Sequence, residues 1–311
     1  MTAETIGVLL MAYGGPDSLD DIPAYLHDIR GGRPTPDELV AEITENYRRI
    51  GGKSPLLELT QRQAALVEAR LNVGAPPGSR YKTYIGMRHW SPWIEDAVDR
   101  MMQDGIREAV ALVLAPHYSS MSVARYFAKL NAALAKYATP FSVTPITSYH
   151  DHPLYIQALA RRVSDGLAKM PADTLVIFSA HSLPQRILAE GDPYDAQLRE
   201  TAQLVAERAG LPDDAWTFSY QSAGHSPEPW LGPQLEEYVV ELAHQGYRNL
   251  LSVPVGFVVD HVEVLFDIDI QAREAAQAAG ARLDRVPSLN DDPLFIAALV
   301  DLVRAAHRAR A

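Results

Sequence analysis

A histidine and a carboxylate, far apart in the chain, carry the sharpest chemical signal in this sequence. The first apolar run of the second half ends in Ser179-Ala180-His181-Ser182-Leu183-Pro184. A later run ends in Pro254-Val255-Gly256-Phe257 and leads directly into Asp260-His261-Val262-Glu263. In open parallel sheets, ligands lie outside the carboxyl ends of the strands, so the residues directly after each strand are the informative ones. Strands one and three of a doubly wound unit are commonly neighbours, which would bring His181 and Glu263 to one crevice. An imidazole and a carboxylate there can bind a borderline divalent ion such as Fe²⁺ and can also accept protons. Asp267, four residues beyond Glu263 on the same helical face, extends an acidic line toward solvent, and Gln271 continues it without charge. Spacing alone favours a plainer reading, in which His181 caps a neighbouring helix and the acids form a solvated face.

The other conspicuous groups read as structural. His150-Asp151-His152 looks like a metal motif, but its place before Pro153 makes it a helix-entry turn. Gly14-Gly15 lacks the G-x-G-x-x-G spacing of a dinucleotide fingerprint and reads as a tight strand-to-helix turn. Ser179 and Ser182 flank His181, yet neither sits in G-x-S-x-G, so a hydrolase elbow has little support. Trp90, Trp93 and Trp230 read as core or pocket wall. Arg30, Arg33, Arg48, Arg49 and Lys53 stand among glycines. They form either a solvated connection or a cationic mouth for carboxylates.

Positioning such residues requires a scaffold, and the apolar pattern supplies one. Short β-branched runs alternate with longer amphipathic stretches, as in parallel sheets covered by helices on both faces. Strands are expected at 6–12, 81–86, 109–114 and 141–146, then at 174–179, 215–220, 249–255 and 281–286. Thr35 as N-cap, Pro36 at the first helical position and the acids after it should start a helix whose body is 39–49. Further helices are expected at 60–71, 92–102, 153–169, 194–209, 233–244, 261–279 and 293–308. The fold class is therefore α/β, with two similar Rossmann-like doubly wound domains, each a four-stranded parallel sheet flanked by helices. The boundary falls near the turn-rich Tyr149-His150-Asp151-His152-Pro153, giving domains of 1–149 and 150–289. The last helix, within 290–311, is expected to pack back on the first domain.

Composition excludes several classes of function. The net charge is −11 over 311 residues, which argues against nucleic acid and against anionic lipid. There is no cysteine, which removes disulfides, thiolate metal sites, iron–sulfur clusters and a cysteine nucleophile. No run approaches the ~20 apolar residues of a membrane span. The apolar stretch near the start is too short, and lacks the basic lead, for a signal peptide. A cytoplasmic, monomeric protein is the expectation.

Seven segments carry a resemblance that spacing could not supply. They are GVLLMAYGGP, YRRIGGKSPL, YIGMRHWSPWIEDAV, VLAPHYSSMSVARY, SAHSLP, YQSAGHSPEPWLGP and VPVGFVVDHVEVLFDID. In that order they resemble the ferrochelatases, and within them the coproporphyrin ferrochelatases of the Gram-positive type, over essentially the whole length. The resemblance implies two Rossmann-like domains around a porphyrin cleft and insertion of Fe²⁺ into coproporphyrin III. It makes Fe²⁺ a substrate and implies no prosthetic group. His181 matches the family's catalytic histidine and Glu263 its metal-binding glutamate, and the spacing of Asp267 offers it as an accessory acid. Tyr13 resembles the tyrosine axial to the porphyrin iron. Arg30, Asn46, Tyr47, Ser54 and Tyr126 match positions that hold the porphyrin or its propionates, although relatives often carry arginine at the place of Asn46. Gln271 stands where relatives often have an acid, and Arg88 where they have lysine.

The polar segment LHDIRGGRPTPDELVAEITEN has no apolar lip to enter a bilayer, which favours a tetracarboxylate substrate over a greasier dicarboxylate. A downstream haem-synthesis enzyme that accepts the product is an expected partner. Two other readings stand beside this one: a chelatase for protoporphyrin or for another tetrapyrrole and metal, and a non-catalytic porphyrin or haem carrier.

Overall fold

A computed structural model describes residues 4–75, 78–224 and 226–309. Two four-stranded sheets, all parallel, organise the chain. The first contains β1 (Glu4–Ala12), β2 (Ser79–Met87), β3 (Glu108–Val113) and β4 (Ser142–Ile146) in the order β2-β1-β3-β4. The second contains β5 (Leu175–His181), β6 (Trp216–Gln221), β7 (Asn249–Val253) and β8 (Arg282–Arg285) in the order β6-β5-β7-β8. Both sheets repeat one winding. The chain passes from the first strand to one side, then returns to the other, so each sheet has its crossover point between its first and third strands.

Burial follows from that order. Central strands are covered on both faces, and Val8–Ala12 and Leu175–Ala180 are accordingly runs of buried residues. The edges are more polar. β4 has no fully buried residue and accommodates Pro145, whose missing N–H an edge strand tolerates. β8 is Arg-Leu-Asp-Arg, with only Leu283 buried. In the second sheet, Ile177, Val239, Leu250, Val264, Ile268 and Leu283 belong to one apolar cluster, which packs helix Leu235–His244 and the segment after Glu263 against the strands.

Contacts divide the chain into two compact units. One holds the chain up to Pro116, Ser120–Tyr149 and the residues from Asn290 onward; the other holds His117–Ser119 and His150–Leu289. Helix Pro293–Arg308 thus belongs to the first unit. Asp292 caps it by accepting from the Leu294 N–H at 2.8 Å, with Pro293 in the first turn. Arg304 donates to the carbonyls of Arg70, Leu71 and Val73 at the end of helix Leu56–Asn72, where orphan acceptors need a cation. His307 bridges Tyr81 and Glu108, at 2.8 and 3.1 Å.

All eight expected strands form, with no boundary displaced by more than two residues. The helix expected to start from Thr35 begins instead at Asp37, with Pro36 in the cap position and no side-chain cap; the Thr35 hydroxyl is buried without a hydrogen bond. The acids of its first turn, Asp37 and Glu38, complement the helix dipole without that cap. Helices Ile22–Ile29 and Val123–Leu134, and the short turn Arg186–Ala189, were not among the expected elements. The stretch expected as one helix over 261–279 is three pieces: an α-turn, Val262–Leu265, a π-helix, Asp267–Ala272, and an α-helix, Arg273–Ala278.

Candidate active site

In the second unit, β5 and β7 are adjacent, so their carboxyl ends open on the same crossover point. His181 is the last residue of β5. The loop after β7 folds back over the end of β5, and Gly256 makes this possible. A Cβ at residue 256 would lie 2.6 Å from the Ala180 Cβ and 3.0 Å from its Cα. The Gly256 N–H donates to the Ser179 carbonyl at 3.3 Å, and the buried Tyr155 hydroxyl holds the Val255 carbonyl at 2.6 Å. The chain then enters the Val262–Leu265 turn, which presents Glu263.

His181 Nδ1 lies 3.0 Å from Glu263 Oε2, and the two side chains are 34% and 29% exposed. An ionised carboxylate only accepts, so Nδ1 carries the proton of this bond. When the ring is neutral, that leaves the Nε2 lone pair and the second carboxylate oxygen for an ion, with ring orientation fixed as in carboxylate–histidine–metal arrangements. Burial works to raise the Glu263 pKa, but the charge and hydrogen bond of His181, helped by His261, overcome it and hold the carboxyl well below its ordinary range. His181 mirrors this: burial disfavours its cation, yet Glu263 and Asp267 raise its pKa overall. The plainer reading of His181 as a helix cap therefore does not hold.

Asp267 differs from expectation. It does not continue an acidic line toward solvent; it is half-buried and accepts a hydrogen bond from the Ser222 hydroxyl. Burial and the neighbouring Glu263 charge push its pKa up to about 7, against the opposing pull of Ser222 and the two histidines. The wide turn that follows breaks the line beyond it. The Phe266 carbonyl accepts from both Ile270 and Gln271, at 3.1 and 2.9 Å, so the i+4 spacing on which a shared face depends is lost and Gln271 points to solvent.

Three neighbours were not singled out from the sequence. His261 donates from Nδ1 to the Val259 carbonyl at 2.9 Å, which turns Nε2 toward Glu263 Oε2 at 3.8 Å. Ser222 adopts the left-handed region, at φ 58°, directly after β6. Gln221, the last residue of β6, donates to the Glu263 carbonyl at 2.7 Å. Gln221 and Ser222 stand at the end of β6, so the rule that selected His181 would have found them had β6 been included, and His261 stands two residues before Glu263.

The first unit gathers several of the residues matched to porphyrin positions. Tyr13 follows β1, is 37% exposed, and packs on the His89 ring with centroids 4.6 Å apart. His89 follows β2 and pairs with Asp28 through Nδ1 at 2.7 Å. Gly14 turns the chain at φ 94°, where a Cβ would strike the Trp90 nitrogen at 2.9 Å. A Cβ at Gly15 would meet Ser54 and the Tyr47 hydroxyl within 4 Å, so this turn, Ser54 and the buried Tyr47 converge. Tyr126 is buried on helix Val123–Leu134, with the Arg88 guanidinium 5.4 Å from its ring centroid. Arg30 is engaged locally, donating from Nε to the Pro34 carbonyl at 3.2 Å. Asn46 precedes Tyr47 on helix Asp37–Arg49 and is half-buried.

The remaining motifs are structural as expected. His152 and Pro153 start helix Pro153–Leu167, and His150 pairs with Glu200 at 3.0 Å. The Ser179 and Ser182 hydroxyls are spent on Gln221 and the Leu231 carbonyl. Among the described residues no helix is long and apolar enough to cross a membrane.

Residues 5–307 match the ferrochelatase family model. A ferrochelatase of Deinococcus radiodurans is 56% identical over 302 residues, covering 96% of this chain and 95% of that protein. A coproporphyrin III ferrochelatase of Geobacillus thermodenitrificans is 44% identical, covering 97% and 96%. Among solved structures, the sirohydrochlorin chelatase SirB of Bacillus subtilis superposes with a TM-score of 0.58 at 10% identity, covering 98% of this chain and 96% of its own. At that identity the likeness speaks for the fold alone.

Proposed function

Because this chain belongs to the ferrochelatase family, we propose that it inserts Fe²⁺ into coproporphyrin III, giving Fe-coproporphyrin for haem synthesis. Members of the family insert metal into porphyrin. The observation that carries the reading for this chain is the His181–Glu263 pair, 3.0 Å apart at the carboxyl ends of adjacent parallel strands.

The reaction exchanges one dication for two pyrrole protons. A flat macrocycle resists, because its nitrogen lone pairs point inward in the ring plane. Contacts to the ring edge and propionates can offset the cost of bending the ring so that those lone pairs turn to one face. We assign those contacts to Tyr13, Arg30, Tyr47, Ser54 and Tyr126, with Asn46 as a weaker member lacking the charge of an arginine. His181 and Glu263 bind the incoming ion and accept the released protons. Glu263, held ionised by its histidines, attracts the cation; Asp267 adds a second acid beside it. Tyr13 is assigned as axial ligand to the inserted iron.

The relative with 56% identity is named simply a ferrochelatase, whereas the Geobacillus relative is named for coproporphyrin III. The residues around helix Asp37–Arg49 favour the second. The segment before helix Asp37–Arg49 is polar and largely exposed, which suits a tetracarboxylate better than a lipid-held dicarboxylate. Anaerobic Fe²⁺ with coproporphyrin III, followed by absorbance, is the test. Many turnovers per enzyme are expected. Binding of one porphyrin per chain without insertion would instead make it a carrier, and faster insertion into protoporphyrin would reverse the substrate assignment.

A further inference from the structure

We propose that Gln221 is a positioning residue that sets the separation of His181 from Glu263; this rests on the metal-handling role assigned to that pair. Gln221 ends β6 and lies opposite His181 in the parallel register with β5. It is 2% exposed. The fully buried Ser179 hydroxyl donates to Gln221 Oε1 at 2.9 Å, and Gln221 Nε2 donates to the Glu263 backbone carbonyl at 2.7 Å.

The orientation of this amide is forced. The Glu263 carbonyl can only accept, so it must face the NH₂ end, and Oε1 is left for the one donor opposite it, the Ser179 hydroxyl. A flipped amide would set two acceptors against each other. The main chain reinforces the arrangement, because the Ser182 N–H donates to the Gln221 carbonyl at 2.7 Å. One side chain therefore ties the strand that ends in His181 to the turn that presents Glu263. Without it, the Glu263 peptide loses a buried partner, and the turn is free to drift relative to the imidazole.

Residues that orient a metal ligand in this way typically change metal affinity by about 10- to 100-fold when removed. The variants Gln221→Met, Gln221→Glu, Ser179→Ala and Ser179→Ala/Gln221→Met test it, with Co²⁺ as the probe. The measurements are Co²⁺ affinity of the porphyrin-free enzyme from its d–d absorption, the KM for Fe²⁺ in anaerobic insertion, coproporphyrin III affinity and the thermal midpoint. Gln221→Met should weaken Co²⁺ binding and raise the KM for Fe²⁺ by about 10-fold or more, leaving coproporphyrin affinity unchanged. Gln221→Glu keeps the shape and the acceptor for Ser179 but loses the donor, so it should lose at least as much. Ser179→Ala should weaken Co²⁺ binding alone yet add nothing to Gln221→Met. A purely structural role would lower the midpoint or the folded yield without moving the Co²⁺ affinity of the folded enzyme, and that outcome overturns the proposal. Wild-type Co²⁺ affinity in both Gln221 variants, with affinity lost in His181→Ala and Glu263→Gln, would also overturn it while sparing the pair. Wild-type affinity in His181→Ala and Glu263→Gln would overturn the pair itself.

Discussion

Adding one methyl group at residue 256 should disable metal insertion out of proportion to its size. In Gly256→Ala the new Cβ would sit 2.6 Å from the Ala180 Cβ. Carbon atoms in contact prefer about 3.5–4.0 Å, so the loop and the end of β5 must separate by about 1 Å. A second close atom, the Ala180 Cα at 3.0 Å, is main chain and cannot swing aside. Both partners of the clash are attached to the site: Ala180 precedes His181, and residue 256 begins the loop that delivers Glu263. Overpacking of this kind costs about 1–3 kcal/mol of stability. A displacement near 1 Å in a reacting geometry can cost about 100-fold in rate. The assay is kcat/KM for Fe²⁺ with coproporphyrin III, corrected for folded protein, beside a urea melt. Ala180→Gly in the same chain removes the nearer contact and should restore part of the activity. Wild-type kcat/KM in the folded fraction of Gly256→Ala would refute the claim that this close approach aligns the pair.

Other perturbations have definite expected outcomes. Replacing Arg30 and Ser54 together with alanine should weaken a four-carboxylate porphyrin more than a two-carboxylate one in absorbance titrations; equal losses would remove the propionate assignment. Tyr155→Phe leaves the buried Val255 carbonyl without its 2.6 Å donor, and should cost about 1–3 kcal/mol in urea unfolding; no loss would mean water replaces the hydroxyl. His117 is 2% exposed, and burial, then the neighbouring His150, push its pKa down to about 3. Its folded-state value lies below the unfolded one, so its stabilising effect is complete above about pH 6.5 and is lost as pH falls toward 3. Between pH 7.5 and 5 the wild type should lose about 2 kcal/mol that His117→Gln does not lose, and parallel curves for the two proteins would contradict this.

Much of this arrangement is written in the sequence at the level of whole elements. Near-continuous apolar runs such as Leu175–Ala180 mark central strands, and strand order follows from the winding, so His181 and the Asp260–Glu263 segment meet as their positions demand. Local detail is less legible. A π-helix of six residues and an α-helix share nearly the same apolar pattern, so nothing in Asp267–Ala272 announces that Gln271 turns away from Asp267. Thr35 and Pro36 fit a cap rule, but the helix begins one residue later and leaves Thr35 unused. Helix Val123–Leu134 has a readable stripe in Val123, Tyr126, Leu130 and Leu134, although its first turn lies inside the VLAPHYSSMSVARY segment. The Gln221 bridge depends on how a carbonyl is turned, which no residue spacing encodes.

The most direct test replaces one group of the pair at a time and separates porphyrin binding from metal insertion. His181→Ala and Glu263→Gln should bind coproporphyrin III measurably, by absorbance, while anaerobic Fe²⁺ insertion is nearly abolished in both. Turnover at the wild-type rate in both variants would show that the imidazole and the carboxylate, however well placed, are not what moves the iron.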